Sequence, residues 1–289
     1  MSFFLYFSLM KKLIILIVCL VFTSSYSQYS KNSFDTPFSV DYLLETAENN
    51  LKQKGYIDLL PKNLRDIYDY WSFDDFDNKA KDLISTATPT SDRFGNSDSA
   101  FYFDGKDDYI SLSKPFFNGS TNVKEFTYSV WILPSEFPIG NRSYSINTKE
   151  GYWRTVSLVI ERNGIIGFYA SQPNRKYVML NTTSIGEVGV NLDEWSNITV
   201  TFGRGYLTIY INGLIASMGE IALNSWDFSW PARGNSTSTN IIGAQKPGTG
   251  LTAFFKGKID DFAIWDRELS QEEIRQWLKF QSKTSLFYE

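Results

Sequence analysis

The sequence predicts an all-β protein, a two-sheet antiparallel sandwich, and three observations carry that prediction. Residues 101–112 (F-Y-F-D-G-K-D-D-Y-I-S-L) and 254–269 (F-F-K-G-K-I-D-D-F-A-I-W-D-R-E-L) interleave aromatic and branched residues with Asp, Lys or Ser, the period of a half-buried strand. Short alternating runs recur from Asp66 onward with turn signals between them. The chain is 43% hydrophobic and 17% aromatic, ample for a core and too apolar for disorder.

The first residues read as a targeting segment. Lys11-Lys12 is followed by an apolar run over 13–22 and by Thr23-Ser24-Ser25-Tyr26-Ser27, the layout of a secretory signal peptide with cleavage before Gln28. Ten apolar residues are too few to span a bilayer, so no membrane span is expected in the mature chain. Met10 offers an alternative start directly before the two lysines. Cys19, the single cysteine, lies in this segment, so no disulfide is expected afterwards. Residues 28–65 form an N-terminal extension. Ser39 can cap a helix over 40–54 with Leu43, Leu44, Ala47 and Leu51 on one stripe and Gly55 as its stop. That helix is either a brace packed on the sandwich or a partner-docking element.

From Asp66 the strands follow in order. Residues 68–73 alternate and are broken by the acidic loop 74–78. Residues 101–112 fit a hairpin through the four-residue loop Asp104–Asp107, with 254–269 as partner. Residues 126–133 (F-T-Y-S-V-W-I-L) form a strand that stops at Pro134. Residues 156–161 and 165–169 flank the Asn163-Gly164 turn. A second hairpin joins 195–202 to 206–211 through Gly203-Arg204-Gly205, and Asn212-Gly213 turns the chain into 214–218. Ser270 and Glu273 form a capping box that opens a short C-terminal helix to about Phe280, with Ile274, Trp277 and Leu278 facing the core.

Charge narrows the function. Losing Lys11 and Lys12 takes the net charge from −4 to about −6, and no basic stripe is present, so nucleic acid is a poor partner. The chain has no histidine, which removes Ser-His and Cys-His catalysis and every His-ligated metal site. Sandwich hydrolases place carboxylates at alternate positions of one strand. Here Asp107-Asp108, Asp193-Glu194 and Asp260-Asp261 are adjacent, and neighbours on a regular strand point to opposite faces.

Six stretches in order resemble the LamG-like jelly roll of the concanavalin A-like lectin/glucanase superfamily: 70–74, 92–96 (D-R-F-G-N) before the F-D-G turn, 126–133, 193–202, 207–213, and 257–269 with its G-x-I-D-D start. The resemblance implies a jelly-roll sandwich over 66–282, with the short N-terminal helical extension before it and a tail over 283–289. It also implies a structural calcium ion held by Asp260, with Asp74 and the Gly95 carbonyl, since calcium takes several hard oxygens. The alternative is that these acids cap turns and pair with Lys256 or Lys258.

A glycan needs flat aromatic faces and polar neighbours. Residues 224–240 (N-S-W-D-F-S-W-P-A-R-G-N-S-T-S-T-N) supply Trp226, Phe228, Trp230 and Arg233, and Trp153 and residues 172–175 are secondary candidates. Each of these aromatics could instead anchor its loop. Trp71, Trp131, Trp195 and Trp265 read as packing. The expectation is a secreted, extracellular or periplasmic, non-catalytic carbohydrate-binding module. A protein-binding adhesion module and a glycoside hydrolase remain the alternatives, because fold does not decide function.

Overall fold

The computed structural model describes residues 60–73, 83–112, 125–151, 154–171, 177–182, 188–221, 239–245 and 250–284. The chain divides into two compact units, Met1–Leu60 and Pro61–Glu289, and every element below belongs to the second. The signal segment and the helix expected over 40–54 lie outside the described residues.

The strands are β1 (Ile67–Trp71), β2 (Leu83–Ser85), β3 (Thr88–Thr90), β4 (Ala100–Asp104), β5 (Ile110–Leu112), β6 (Phe126–Pro134), β7 (Ser143–Gly151) and β8 (Arg154–Glu161). They continue as β9 (Ile166–Ser171), β10 (Tyr177–Asn181), β11 (Ser196–Gly203), β12 (Tyr206–Ile211), β13 (Leu214–Glu220), β14 (Thr239–Ile242) and β15 (Lys256–Trp265), and helix α1 (Gln271–Thr284) closes the series. An eight-stranded sheet runs β13-β12-β11-β6-β15-β4-β3 with β1 also on β15, and a seven-stranded sheet runs β10-β9-β8-β7-β14-β5-β2. Every pairing is antiparallel. The result is a jelly-roll sandwich.

Side-chain alternation sorts the layers. On β6, Phe126, Tyr128, Val130 and Ile132 enter the core between the sheets, with Ile198, Val200 and Phe202 of β11 beside them. From the facing sheet come Val156, Leu158, Ile160, Ile166 and Phe168. Phe126 lies 5.8 Å, centroid to centroid, from both Phe168 and Phe202. Each such buried side chain contributes about 1.5–3 kcal/mol. The β11–β12 and β12–β13 hairpins turn on Arg204-Gly205 and Asn212-Gly213, all four at positive φ, the conformation that suits two-residue hairpin loops.

Residues 101–112 do not form the expected hairpin. β4 lies in the eight-stranded sheet on β15, whereas β5 lies in the other sheet between β14 and β2. The turn between them therefore carries the chain across the sandwich. Asp104 Oδ1 accepts the Lys106 N–H at 2.8 Å, and Asp108 Oδ2 accepts the Asp104 N–H at 2.9 Å, which fixes the corner. The expected pairing of 101–104 with the closing strand is present, with Phe101 opposite Ile259 and Phe103 opposite Gly257.

α1 covers the outer face of the eight-stranded sheet. Its capping box forms: Glu273 Oε2 accepts the Ser270 N–H at 2.9 Å and Ser270 Oγ accepts the Glu273 N–H at 3.3 Å. Ile274 and Trp277 are buried, and Trp277 Nε1 donates to Ser129 Oγ of β6 at 3.1 Å. Leu278 is half-buried, and the helix runs four residues beyond Phe280.

Candidate functional site

The two outer faces of the sandwich carry different chemistry. On the eight-stranded sheet the charge is concentrated at one point. β15 is flanked on one edge by β6 and on the other first by β4 and then by β1, and its register slips between Asp260 and Ala263. Asp261 sits in the slip at φ 48. The bulge leaves Ile259 and Phe262 in the core, and both carboxylates reach the same guanidinium. Asp260 Oδ2 meets Arg93 Nη1 at 2.7 Å, and Asp261 Oδ2 meets Nη2 at 2.6 Å. The sequence expectation that these adjacent aspartates face apart is thus corrected, because a bulge breaks the alternation on which it rested.

Arg93 stands between the rings of Phe94 and Trp131, at 4.5 and 4.6 Å from their centroids. Burial works against its charge, but Asp261 and Asp260 outweigh it and hold the group above the usual arginine pKa. Tyr70 donates its hydroxyl to Asp261, and Trp131 Nε1 donates to Gln281 Oε1 of α1 at 2.8 Å. This clamp ties together the loop 92–96, the closing strand and the C-terminal helix.

Asp260 is therefore placed differently from its expected role. One oxygen binds Arg93 and the other accepts the Asp261 N–H at 2.8 Å, so a calcium ion bound there would have to displace the guanidinium. Lys256 and Lys258, the expected alternative partners, bind Glu136 and Ser91 instead. Gly95 takes φ 89 in a loop organised by Asp92, whose Oδ1 accepts the N–H groups of Phe94 and Asn96 at 2.8 and 2.9 Å. Asp74 lies outside the described residues.

A second acidic group, Asp104, Asp107 and Asp108, brings its oxygens within 4.8 Å of one another. Backbone N–H groups, first that of Lys106, hold the Asp104 carboxyl below its usual value, while burial pushes Asp108 up. These carboxylates brace the inter-sheet corner.

Among the described residues, the outer face of the seven-stranded sheet is polar without that density of charge. Because Val156, Leu158 and Ile160 enter the core, Ser157, Val159 and Glu161 take the opposite face. Ser157 faces Thr148 on β7 and Tyr169 on β9. Ser145 Oγ and Thr148 Oγ1 lie 2.7 Å apart, and Thr148 Oγ1 and Ser157 Oγ 3.2 Å, a buried chain of three hydroxyls. Beside it the half-buried Tyr169 donates its hydroxyl to Glu161 Oε1, and burial together with that carboxylate pushes the phenol pKa up. Gly167 makes room for the pair: a Cβ there would lie 2.9 Å from both Glu161 Oε1 and the Tyr169 ring. A flat ring with a carboxylate beside it is what a sugar ring and its hydroxyls engage, while the three hydroxyls are closed to solvent and bond to one another.

Topology adds a second feature. Gly151 pairs with Arg154, Ser171 with Tyr177, Glu150 with Thr239, and Leu112 with both Asn240 and Leu83. One end of this sheet therefore sends out or receives 152–153, 172–176, 222–238, 113–124 and 74–82. Trp153, Trp226, Phe228, Trp230 and Arg233 belong to these segments and lie outside the described residues; the strand ends that carry them meet at one end of the sheet. Tyr169 and Glu161 were not among the sequence candidates, although the alternation on either side of the Asn163-Gly164 turn places both opposite the core. Among the described residues no helix is long and apolar enough to cross a membrane.

No curated protein matches the chain. Among solved structures, the receptor binding domain of botulinum neurotoxin D is 20% identical with a TM-score of 0.50, over 70% of this chain and 47% of that one. The serotype D ligand binding domain of botulinum neurotoxin in complex with N-acetylneuraminic acid is likewise 20% identical with a TM-score of 0.50, over 70% and 46%. The chain spans about half the length of these structures, and the likeness is one of fold. A family model described as the concanavalin A-like lectin/glucanases superfamily matches residues 104–275, more than half of the 289. The chain belongs to the concanavalin A-like lectin/glucanases superfamily.

Proposed function

We propose that the chain is a secreted, non-catalytic carbohydrate-binding module whose ligand lies on the outer face of the seven-stranded sheet and at the end where 152–153, 172–176 and 222–238 attach. The observation that carries this reading is the half-buried Tyr169–Glu161 pair on that face. The aromatic segment with Trp226, Phe228 and Trp230, with Arg233, would supply further ring faces, and Trp153 another. One structure of similar fold was solved with N-acetylneuraminic acid, which fits a sugar ligand.

The test is a titration of the purified chain against a broad glycan panel, followed by tryptophan fluorescence. Binding by at least one glycan, weakened about tenfold or more by Tyr169→Ala and by Trp230→Ala, is expected. Silence across the panel would sink the reading. A protein partner that still binds both variants would favour the adhesion alternative, and release of reducing ends would favour the hydrolase.

The calcium implied by the resemblance is proposed apart from Asp260, whose two oxygens already meet Arg93 and the Asp261 N–H. A rise in melting temperature with calcium that persists in Asp260→Asn supports that placement. A rise that the substitution abolishes returns the ion to Asp260.

A further inference from the structure

The outer face of the seven-stranded sheet holds a carboxylate that none of the described cations balances. Elsewhere, acids withdrawn from solvent meet arginine: Asp260 and Asp261 meet Arg93, and Glu273 meets Arg267. Glu161 differs. It is half-buried, and among the described residues no Lys or Arg forms a salt bridge with it. Its Oε1 accepts the Tyr169 hydroxyl, a neutral partner. Burial, then Glu161 itself, push the phenol pKa up, so Tyr169 donates a hydrogen bond without cancelling the charge. A carboxylate has room for about four hydrogen bonds, so Glu161 can accept more donors.

The strand registers show what stands beside it. Tyr169 pairs with Met179 of β10, and Gly167 pairs with Asn181, so these residues share the outer face. Val178 and Leu180, on either side of Met179, pack toward the core. Gly167 has no side chain, and the Tyr169 ring reaches past it to Glu161. Met179 is 56% exposed next to the ring. The surface therefore passes from an apolar pair, Tyr169 and Met179, to a carboxylate. Among the described side chains on this face none is cationic. Arg142 and Arg162 are exposed, but they lie beyond the ends of β7 and β8.

We propose that this site takes a neutral sugar and that Glu161 excludes sugars bearing a carboxylate or a sulfate. The inference rests on the carbohydrate reading above and narrows it to one ligand class. A pyranose has a C–H face, which suits Tyr169 and Met179, and a rim of hydroxyls, which can donate to Glu161. An acidic sugar instead brings a second negative charge to a partly desolvated place where no described cation offsets the first. A like charge is an effective way to reject a ligand that otherwise fits. N-acetylneuraminic acid falls on the excluded side. The structure solved with it is 20% identical, and likeness of fold does not carry the ligand across.

Matched pairs of glycans test this by calorimetric titration of the purified chain at about 20 mM salt. Each glycan of the panel that binds is compared with its counterpart of opposite charge class. N-acetyllactosamine against its sialylated form and galactotetraose against tetragalacturonate are two such pairs. The acidic member should bind about tenfold more weakly or worse, and about 1 M salt should narrow the gap. Glu161→Gln removes the charge and keeps an acceptor, so the gap should shrink to about threefold or less while neutral binding falls less than about tenfold. Should that variant melt early, Met179→Lys replaces it, setting a cation at an exposed position opposite Tyr169, and the gap should narrow there too. An acidic member bound as tightly as its neutral partner, or more tightly, overturns this inference and leaves the carbohydrate reading standing. A gap unchanged in both variants overturns it as well. Silence across the whole panel sinks the carbohydrate reading and this inference with it.

Discussion

The outer faces of the two sheets solve the same problem in opposite ways. A sheet in a sandwich has one face in the core and must do something with the other. The eight-stranded sheet buries its outer face under α1 and concentrates charge there, with Arg93 locked between Asp260 and Asp261 and stacked on Trp131. The seven-stranded sheet carries neutral hydroxyls in series and a tyrosine bonded to a glutamate. An arginine buried between two carboxylates and two rings is closed to a ligand. The half-buried Tyr169 ring and the Glu161 carboxylate beside it keep a flat surface and an acceptor at the solvent boundary. The first face does structural work, and the proposed function puts recognition on the second.

The sharpest test of that division is Arg93→Met. It leaves two buried carboxylates without their cation, a loss of about 3–5 kcal/mol in urea-induced unfolding. Adding Asp260→Asn and Asp261→Asn to Arg93→Met should recover part of it, since the uncompensated charges go with the cation. Ser157→Ala on the other face removes one neutral hydroxyl and should cost only about 1 kcal/mol. Equal losses on the two faces would erase the contrast.

An effect smaller than that of Arg93→Met is expected from Gly167→Ala. Its methyl meets Glu161 Oε1 and the Tyr169 ring at 2.9 Å, so the pair must shift, at about 1–3 kcal/mol. If the face recognises a sugar, this variant loses glycan affinity by more than its stability loss accounts for, as titration at a temperature well below its melt would show. Tyr169→Phe separates the two contributions of the ring. It keeps the flat surface and removes the hydroxyl, so stability should change by less than about 1 kcal/mol, while any hydrogen bond that Glu161 accepts from a ligand is altered.

Much of this architecture was readable beforehand, and the misses share a cause. The β11–β12–β13 meander announces itself through Gly203-Arg204-Gly205 and Asn212-Gly213, and α1 through its capping box, because those signals are local. The stretch 101–112 was misread because a hairpin and a crossing between sheets show the same alternation; which one forms depends on whether Ile110 and Ser111 find β14 or β4, a long-range matter. The Asp260-Asp261 clamp was misread for a related reason. A bulge is invisible to a rule of strict alternation, although the three-residue step from Ile259 to Phe262 between core positions hinted at it. Asp92-Arg93-Phe94 was legible as a family stretch, but nothing in its spacing indicates that Arg93 finds its partners 167 and 168 residues later. The ligand candidates chosen from sequence were loop aromatics. Tyr169 and Glu161 sit on strands, where alternation shows the face but not the neighbours.

The smallest predicted effect separates burial from charge as the origin of the clamp's strength. Glu136 and Lys256 also form a short pair, 2.7 Å from Nζ to Oε2, but both side chains are well exposed. The bond from Lys256, then that from Tyr144, holds the Glu136 carboxyl below the usual carboxylate range. A carboxyl depressed on folding adds stability that is present above its unfolded pKa and is lost as the pH falls through its folded one. Glu136→Gln should therefore cost no more than about 0.5–1 kcal/mol near pH 7, and the gap to the parent should close below about pH 4. About 1 M salt should also narrow it, because the Debye length there is about 3 Å. The Arg93 clamp, shielded from solvent by Trp131 and Phe94, should keep its contribution in the same salt. A Glu136 effect as large and as salt-resistant as that of Arg93 would mean that pairing alone, without burial, makes the closed face strong.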